Sequence, residues 1–143
     1  MVCPGTNGWR TYGTKLRCAI ENVSNFAAAG RKYRAEGLLN TDWGDGGHRN
    51  PLGVSLHGYA HGAAHAWNGR AVNDEHFTEI FCRHFFGLQN TRTLAQSIRD
   101  LGSVNRTSGY TRNYGSATHW FIEEPLDRRA VKGDSMIDQT TAQ

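Results

Sequence analysis

Residues 37–48 read Gly37-Leu38-Leu39-Asn40-Thr41-Asp42-Trp43-Gly44-Asp45-Gly46-Gly47-His48, and the fold turns on how this run is divided. Its first five residues form a brief apolar segment of strand character, and the rest is too rich in glycine to be helical. Upstream, residues 15–29 place Leu16, Ala19, Ile20, Val23, Phe26 and Ala27 at spacings of three and four, and Gly30 follows as a C-terminal cap. Before that helix, the apolar stub Val2-Cys3 runs into the turn-rich Pro4-Gly5-Thr6-Asn7-Gly8-Trp9 and reads as the end of another strand. Strand, helix, strand is the order of a βαβ unit of a parallel sheet. Ligands of such sheets collect at the carboxyl ends of the strands, where both polar loops lie. The expected class is α/β.

Beyond Pro51 the chain changes character. Residues 54–67, 74–86 and 91–101 each read as a helix, with Asn73 and Thr91 as N-caps and Gly87 and Gly102 closing the last two. Phe77, Ile80, Phe81, Phe85 and Phe86 fall at helical spacing and are expected in the core. Residues 113–122 read as a further aromatic helical stretch, in which Trp120 and Phe121, with Tyr110 and Tyr114, offer a packing surface. The expected organisation is a βαβ unit over 1–53, a helical region over 54–126 and a polar, unpatterned tail over 127–143.

At 143 residues with 38% hydrophobic and 20% charged side chains, the chain has the size and composition of one globular domain. No stretch approaches the roughly 18 unbroken apolar residues of a transmembrane helix, and the opening MVCPGTNGWR lacks the features of a secretion signal. No membrane partner is expected. Sixteen Lys and Arg against thirteen Asp and Glu leave +3, scattered without the basic stripe that a phosphate backbone demands, so no nucleic acid is expected either. Cys3, Cys18 and Cys82 are odd in number and far apart, and they read as free thiols.

The chemistry is concentrated in the loop that follows Thr41. Glycines on either side of Asp45 let it fold tightly and aim Trp43 and Asp45 at one pocket. A flat indole suits the C–H face of a sugar, and a carboxylate accepts hydrogen bonds from hydroxyls. The alternative is that Asp42 and Asp45 cap turns while Trp43 packs inward. A second constellation is His57, His61 and His65, spaced i, i+4 and i+8 as two-histidine metal chelates require. Gly58 and Gly62 interrupt it, the Glu of H-E-x-x-H is missing, and i+8 drifts about 80° around a helix. The same spacing arises where small residues pack closely and histidines line the helix edge. No metal ligand and no cofactor are therefore expected. Asn22-Val-Ser24 and Asn105-Arg-Thr107 match the glycosylation pattern but carry no weight, the first lying within a predicted helix.

The run GLLNTDWGDGGHRNPLGVS, preceded by CPGTNGW and the intervening helix, resembles the last strand–helix–strand portion of family 20 glycoside hydrolases, the β-N-acetylhexosaminidases. The likeness covers residues 1–68 and extends more loosely into the helices. It implies a C-terminal fragment of a TIM-type (β/α)8 barrel followed by a helical C-terminal region. A complete barrel needs about 250 residues, and a βαβ unit with almost no first strand is what a partial barrel leads one to expect. The resemblance implies that Trp43 walls the pocket of a terminal N-acetylhexosamine, that Asp45 bonds its outer hydroxyls and that Trp9 supplies a second wall. Asp42 and His48 join by proximity.

In that family the substrate's own acetamido oxygen is the nucleophile. A Glu acts as general acid while an Asp orients and stabilises the acetamido group. The adjacent acidic pairs here, Asp74-Glu75 and Glu123-Glu124, follow no apolar strand and read as helix-terminus and surface charges. The chain is thus expected to supply part of a glycosidase's sugar pocket and, isolated, to be no catalyst. The other readings are a stand-alone helical carbohydrate-binding or interaction module and a small His-rich metal-binding protein.

Overall fold

The spacing of three and four becomes helix α1, Leu16–Lys32, in the computed structural model, which describes residues 1–13 and 15–107 together with Ser116, His119, Ile122 and Glu123. Leu16, Ala19, Val23 and Ala27 form its buried stripe. Gly30 is not the cap. The helix runs on to Lys32, and a Cβ at Gly30 would stand 3.0 Å from a Val2 methyl, so glycine serves close packing there. Helix α2 is Leu52–Asn68, α3 is Phe77–Phe86 and α4 is Arg92–Thr107. Gly87 ends α3 in the left-handed region at φ 66°, as a glycine C-cap does, whereas Gly102 lies inside α4 against Leu16. The aromatic stretch around Tyr110, Tyr114, Trp120 and Phe121, together with Glu124 and the tail over 127–143, falls outside the described residues.

The expected α/β class, a C-terminal fragment of a TIM-type (β/α)8 barrel, is corrected by this architecture. The described residues form four helices and no sheet or barrel. Two isolated parallel bridges, Val2 with Leu38 and Gly5 with Thr41, are the strand pairing they contain. The Val2 N–H donates to the Gly37 carbonyl at 3.0 Å and Leu39 to Val2 at 2.9 Å, while Thr41 donates to Pro4 at 2.8 Å and Thr6 to Thr41 at 2.9 Å. Pro4 has no N–H to extend the ladder, and each segment gives way within a few residues to its loop. Sequence pattern marks the extended backbone of both segments but carries no information on whether further strands lie beside them.

Helix α2 lies against these paired segments through its glycines. A Cβ at Gly58 would meet Thr6 Cγ2 at 2.9 Å, and one at Gly62 would meet Asn40 Cγ at 2.7 Å. The Asn40 amide donates to the Gly58 carbonyl at 2.9 Å, so it cannot swing aside without losing that bond. Gly62→Ala should therefore destabilise the chain by about 1 kcal/mol, because overpacking of about 1–3 kcal/mol exceeds the ~1 kcal/mol that alanine gains in a helix. Urea titration would show it, and a stabilised variant would refute the close approach.

On its other side α2 meets α3 and α4. Phe77, Phe81, Cys82 and Ala95 form the buried cluster there, with Leu56, Ala60, Ala64, Val72, Leu94 and Ile98 packed around it. Ile80, Phe85 and Phe86, expected in the core, are about half exposed. The three cysteines are free. No described helix is long and apolar enough to cross a membrane.

Candidate functional site

The two bridged segments run in parallel, so the loops opening at Asn7 and Asp42 leave from the same end. They are tied together there by the Arg10 N–H, which donates to the Asp45 carbonyl at 3.3 Å. Asn7 and Arg10 sit at φ 60° and 44°, and Gly46 and Gly47 at 75° and 80°, the left-handed turns that fold both loops back on themselves.

Asp42 organises this end. Its side chain is 4% exposed and accepts a hydrogen bond from Thr6 Oγ1 at 2.5 Å, and His48 Nε2 lies 3.1 Å from its other oxygen. Ser55 and Tyr59 of α2 also interact with it, and Ser55 accepts from the Asn50 amide at 2.8 Å. Burial pushes the Asp42 carboxyl up, but the hydrogen bonds from Thr6, Ser55 and His48 outweigh it and hold the group below the usual range. Burial and then the Asp42 charge raise the Tyr59 phenol. Asp42 is thus an ionised anchor whose acceptor sites are engaged within the protein.

Trp43 does not pack inward. Its indole is 55% exposed and rises beside Gly5, where a Cβ would lie 3.4 Å from Trp43 Cδ1 and 3.2 Å from Trp9 Cζ3. The two indoles flank this glycine. They are not equivalent, because the Lys15 ammonium lies 4.7 Å from the Trp9 ring centroid and occupies one face of it. Burial lowers the Lys15 pKa. Asp45 is exposed, and its described link is the main-chain bond to Arg10. The structure therefore joins Asp42 to His48 and Trp9 to Trp43. Sequence reasoning missed Thr6, Asn50, Ser55 and Tyr59. Thr6 lies within the PGTNGW run, whereas Asn50, Ser55 and Tyr59 lie C-terminal to the Asp42 loop and carry no local sign of a partner there.

A second polar cluster lies on the far side of α2. His61 and His65, one helical turn apart, both direct Nε2 at Asp74 Oδ1, at 2.7 and 3.0 Å. Ser24 of α1 donates to Asp74 Oδ2 at 2.5 Å. His57 does not join them. Its Nε2 meets Thr78 Oγ1 at 3.1 Å, and its ring stands edge-on to Phe77 and Phe81. Burial pushes His57 down to about 4 and also lowers His61, which Asp74 raises only in part. For Asp74 the upward push of burial is outweighed by hydrogen bonds from Ser24, His61 and His65, which hold it ionised. Read from sequence as a helix-terminus charge, Asp74 caps nothing. Asn73 Oδ1 accepts from the Glu75 and His76 N–H groups instead, at 3.1 and 3.3 Å, and leaves the Asp74 carboxylate to face α2.

The glycosylation pattern at Asn22 is internal as well, since the Asn22 amide donates to the Gly5 carbonyl at 3.0 Å. Compared with known protein families, curated proteins and solved structures, the chain finds no match.

Proposed function

We propose that this chain contributes the sugar-contacting surface of a β-N-acetylhexosaminidase-like glycosidase, binding the terminal N-acetylhexosamine of a glycan or glycoconjugate. The observation that carries the reading is the half-exposed Trp43 indole, held over Gly5 at the end where the Asp42–His48 pair fixes its loop. A large indole left in water on an anchored loop costs hydrophobic stabilisation that burial would have supplied, and a sugar's C–H face is a ligand that recovers it. The resemblance of TDWGDGGH to the hexosaminidase motif supports the same assignment, with the exposed Asp45 carboxylate able to accept from sugar hydroxyls.

Hydrolysis needs the acid Glu and the acetamido-orienting Asp, and Asp74 and Glu123, one from each adjacent acidic pair, are engaged otherwise. Asp74 is bonded to two histidines and a serine, and Glu123 accepts from the Tyr12 phenol and from Arg49 Nε at 3.2 Å. The isolated chain should accordingly bind N-acetylglucosamine and leave an aryl N-acetylglucosaminide intact. Trp43→Ala should weaken that binding by about tenfold, the order of 1–1.5 kcal/mol that an aromatic face contributes. Its unfolding free energy should change by less than about 1 kcal/mol, because the ring is largely in solvent. Titration followed by tryptophan fluorescence or by NMR tests both halves. Equal affinity in wild type and variant, or turnover by the purified chain, would overturn the reading.

A further inference from the structure

We propose that His61, His65 and Asp74 form a binding site for one divalent transition-metal ion of the zinc class. The site is independent of the sugar reading, since the cluster lies on the side of α2 that faces α1 and α3. Three separate pieces of chain converge on it. The two imidazoles come from successive turns of α2, with ring centroids 4.5 Å apart. The carboxylate comes from the turn before α3, and the Ser24 hydroxyl from α1. The candidate ligand atoms of the two histidines and Asp74 all lie within 4.8 Å of one another.

The donor chemistry selects the ion. Two neutral imidazole nitrogens and one carboxylate are a zinc-type ligand set, with a fourth position for water. Tetrahedral zinc at bond lengths of about 2.0–2.1 Å holds its ligands roughly 3.3 Å apart. The Nε2 to Oδ1 distances of 2.7 and 3.0 Å would open by about 0.6 and 0.3 Å to admit it. Ser24 Oγ, 3.3 Å from His65 Nε2 and bonded to the other Asp74 oxygen, stands where it orients the carboxylate.

Access and desolvation are suited to an ion. His61 and His65 are buried, at 0% and 5% side-chain exposure, while Asp74 at 37% keeps one side open. A cavity of about 540 Å³ adjoins that side, lined by Ile20, Ser24, Asp74 and Glu75 among others, and provides both an entry path and room for the water ligand. The Nδ1 atoms of His61 and His65 have no hydrogen-bond partner among the described residues. Zinc sites usually have such partners, and losing them costs about 10–100-fold in affinity, so the expected dissociation constant is micromolar.

The test is zinc titration of the full chain by calorimetry, with the metal content after gel filtration in micromolar zinc measured alongside. One equivalent per chain is expected, and cobalt(II) in its place should develop the visible bands of a tetrahedral site. Asp74→Asn keeps an oxygen acceptor for both imidazoles, so it retains the fold while removing the charge, and it should weaken zinc at least about tenfold. His65→Gln should do the same. Wild-type protein that retains no zinc overturns the proposal whatever the variants do. Zinc held equally by folded Asp74→Asn also overturns it, because the ion then sits on other histidines or thiols. Sugar titration of the same samples is expected to be unaffected by either variant.

Discussion

Acidification from pH 6.5 to 4 is expected to remove about 3 kcal/mol of stability through His57 alone. The imidazole is 3% exposed and held between Phe77 and Phe81, and burial, reinforced by neighbouring His61, lowers it from 6.5 to about 4. Folded protein therefore keeps His57 mostly neutral until pH nears 4, while the unfolded chain takes up a proton as pH falls through 6.5. The unfolded state binds more protons, so stability falls with falling pH, and the loss is complete once pH drops below the folded value. A difference of roughly 2.5 units at 1.36 kcal/mol each gives the magnitude. His61, also lowered, acts in the same direction. Asp42 and Asp74, held below their ordinary 3.8, lose their contributions only as pH falls below that value, in a separate and lower window. His57→Gln keeps a polar partner for Thr78 without a titrating ring. Urea unfolding at pH 7.5, 5.5 and 4 should show its total loss of stability across that range smaller by about 3 kcal/mol than in wild type. Parallel slopes would mean that His57 is solvated.

What could be read from sequence was local. The α1 stripe was legible because Leu16, Ala19, Val23 and Ala27 meet their partners on one face of one helix, and periodicity reports that directly. The extended segments were legible in part, as the apolar stub Val2-Cys3 and the run 37–41, but the bridge at Gly5 falls in what reads as a turn-rich loop, and the described residues hold none of the barrel that the resemblance implied. A sheet depends on what lies beside a strand, and here the described residues place helix α2 and its glycines there. Phe85 and Phe86 show the same limit from the other side. Their spacing is helical, but among the described residues α3 packs through one face, and a ten-residue helix cannot bury five large side chains there. In the candidate sites the loop was legible and its anchor was not. Asp42 is fixed by Thr6, thirty-six positions away, and Asp74 by Ser24, fifty away, distances at which no spacing rule operates.

Asp42→Ala should be the most damaging substitution at the loop end, costing about 3 kcal/mol and lowering the melting temperature by roughly 6–12 °C. Thr6 and Ser55 are both fully buried, and each loses an acceptor that water cannot replace; a stranded buried hydroxyl costs about 1–3 kcal/mol. His48 and Tyr59 are more exposed and can turn to solvent, so they add little. Asp42→Asn, which preserves an oxygen toward Thr6, should recover a large part of the loss. Affinity separates anchor from platform. Asp42→Ala frees the loop that presents Trp43, and so it should lose both stability and sugar binding, whereas Trp43→Ala should lose binding alone. Calorimetric melting and N-acetylglucosamine titration of the two variants side by side decide the matter. If Asp42→Ala melts like wild type, the Thr6–Asp42–Ser55 network does not hold the loop. If it is destabilised yet binds sugar at full affinity, the loop keeps its shape without the anchor, and the position of Trp43 must be set by its packing on Gly5.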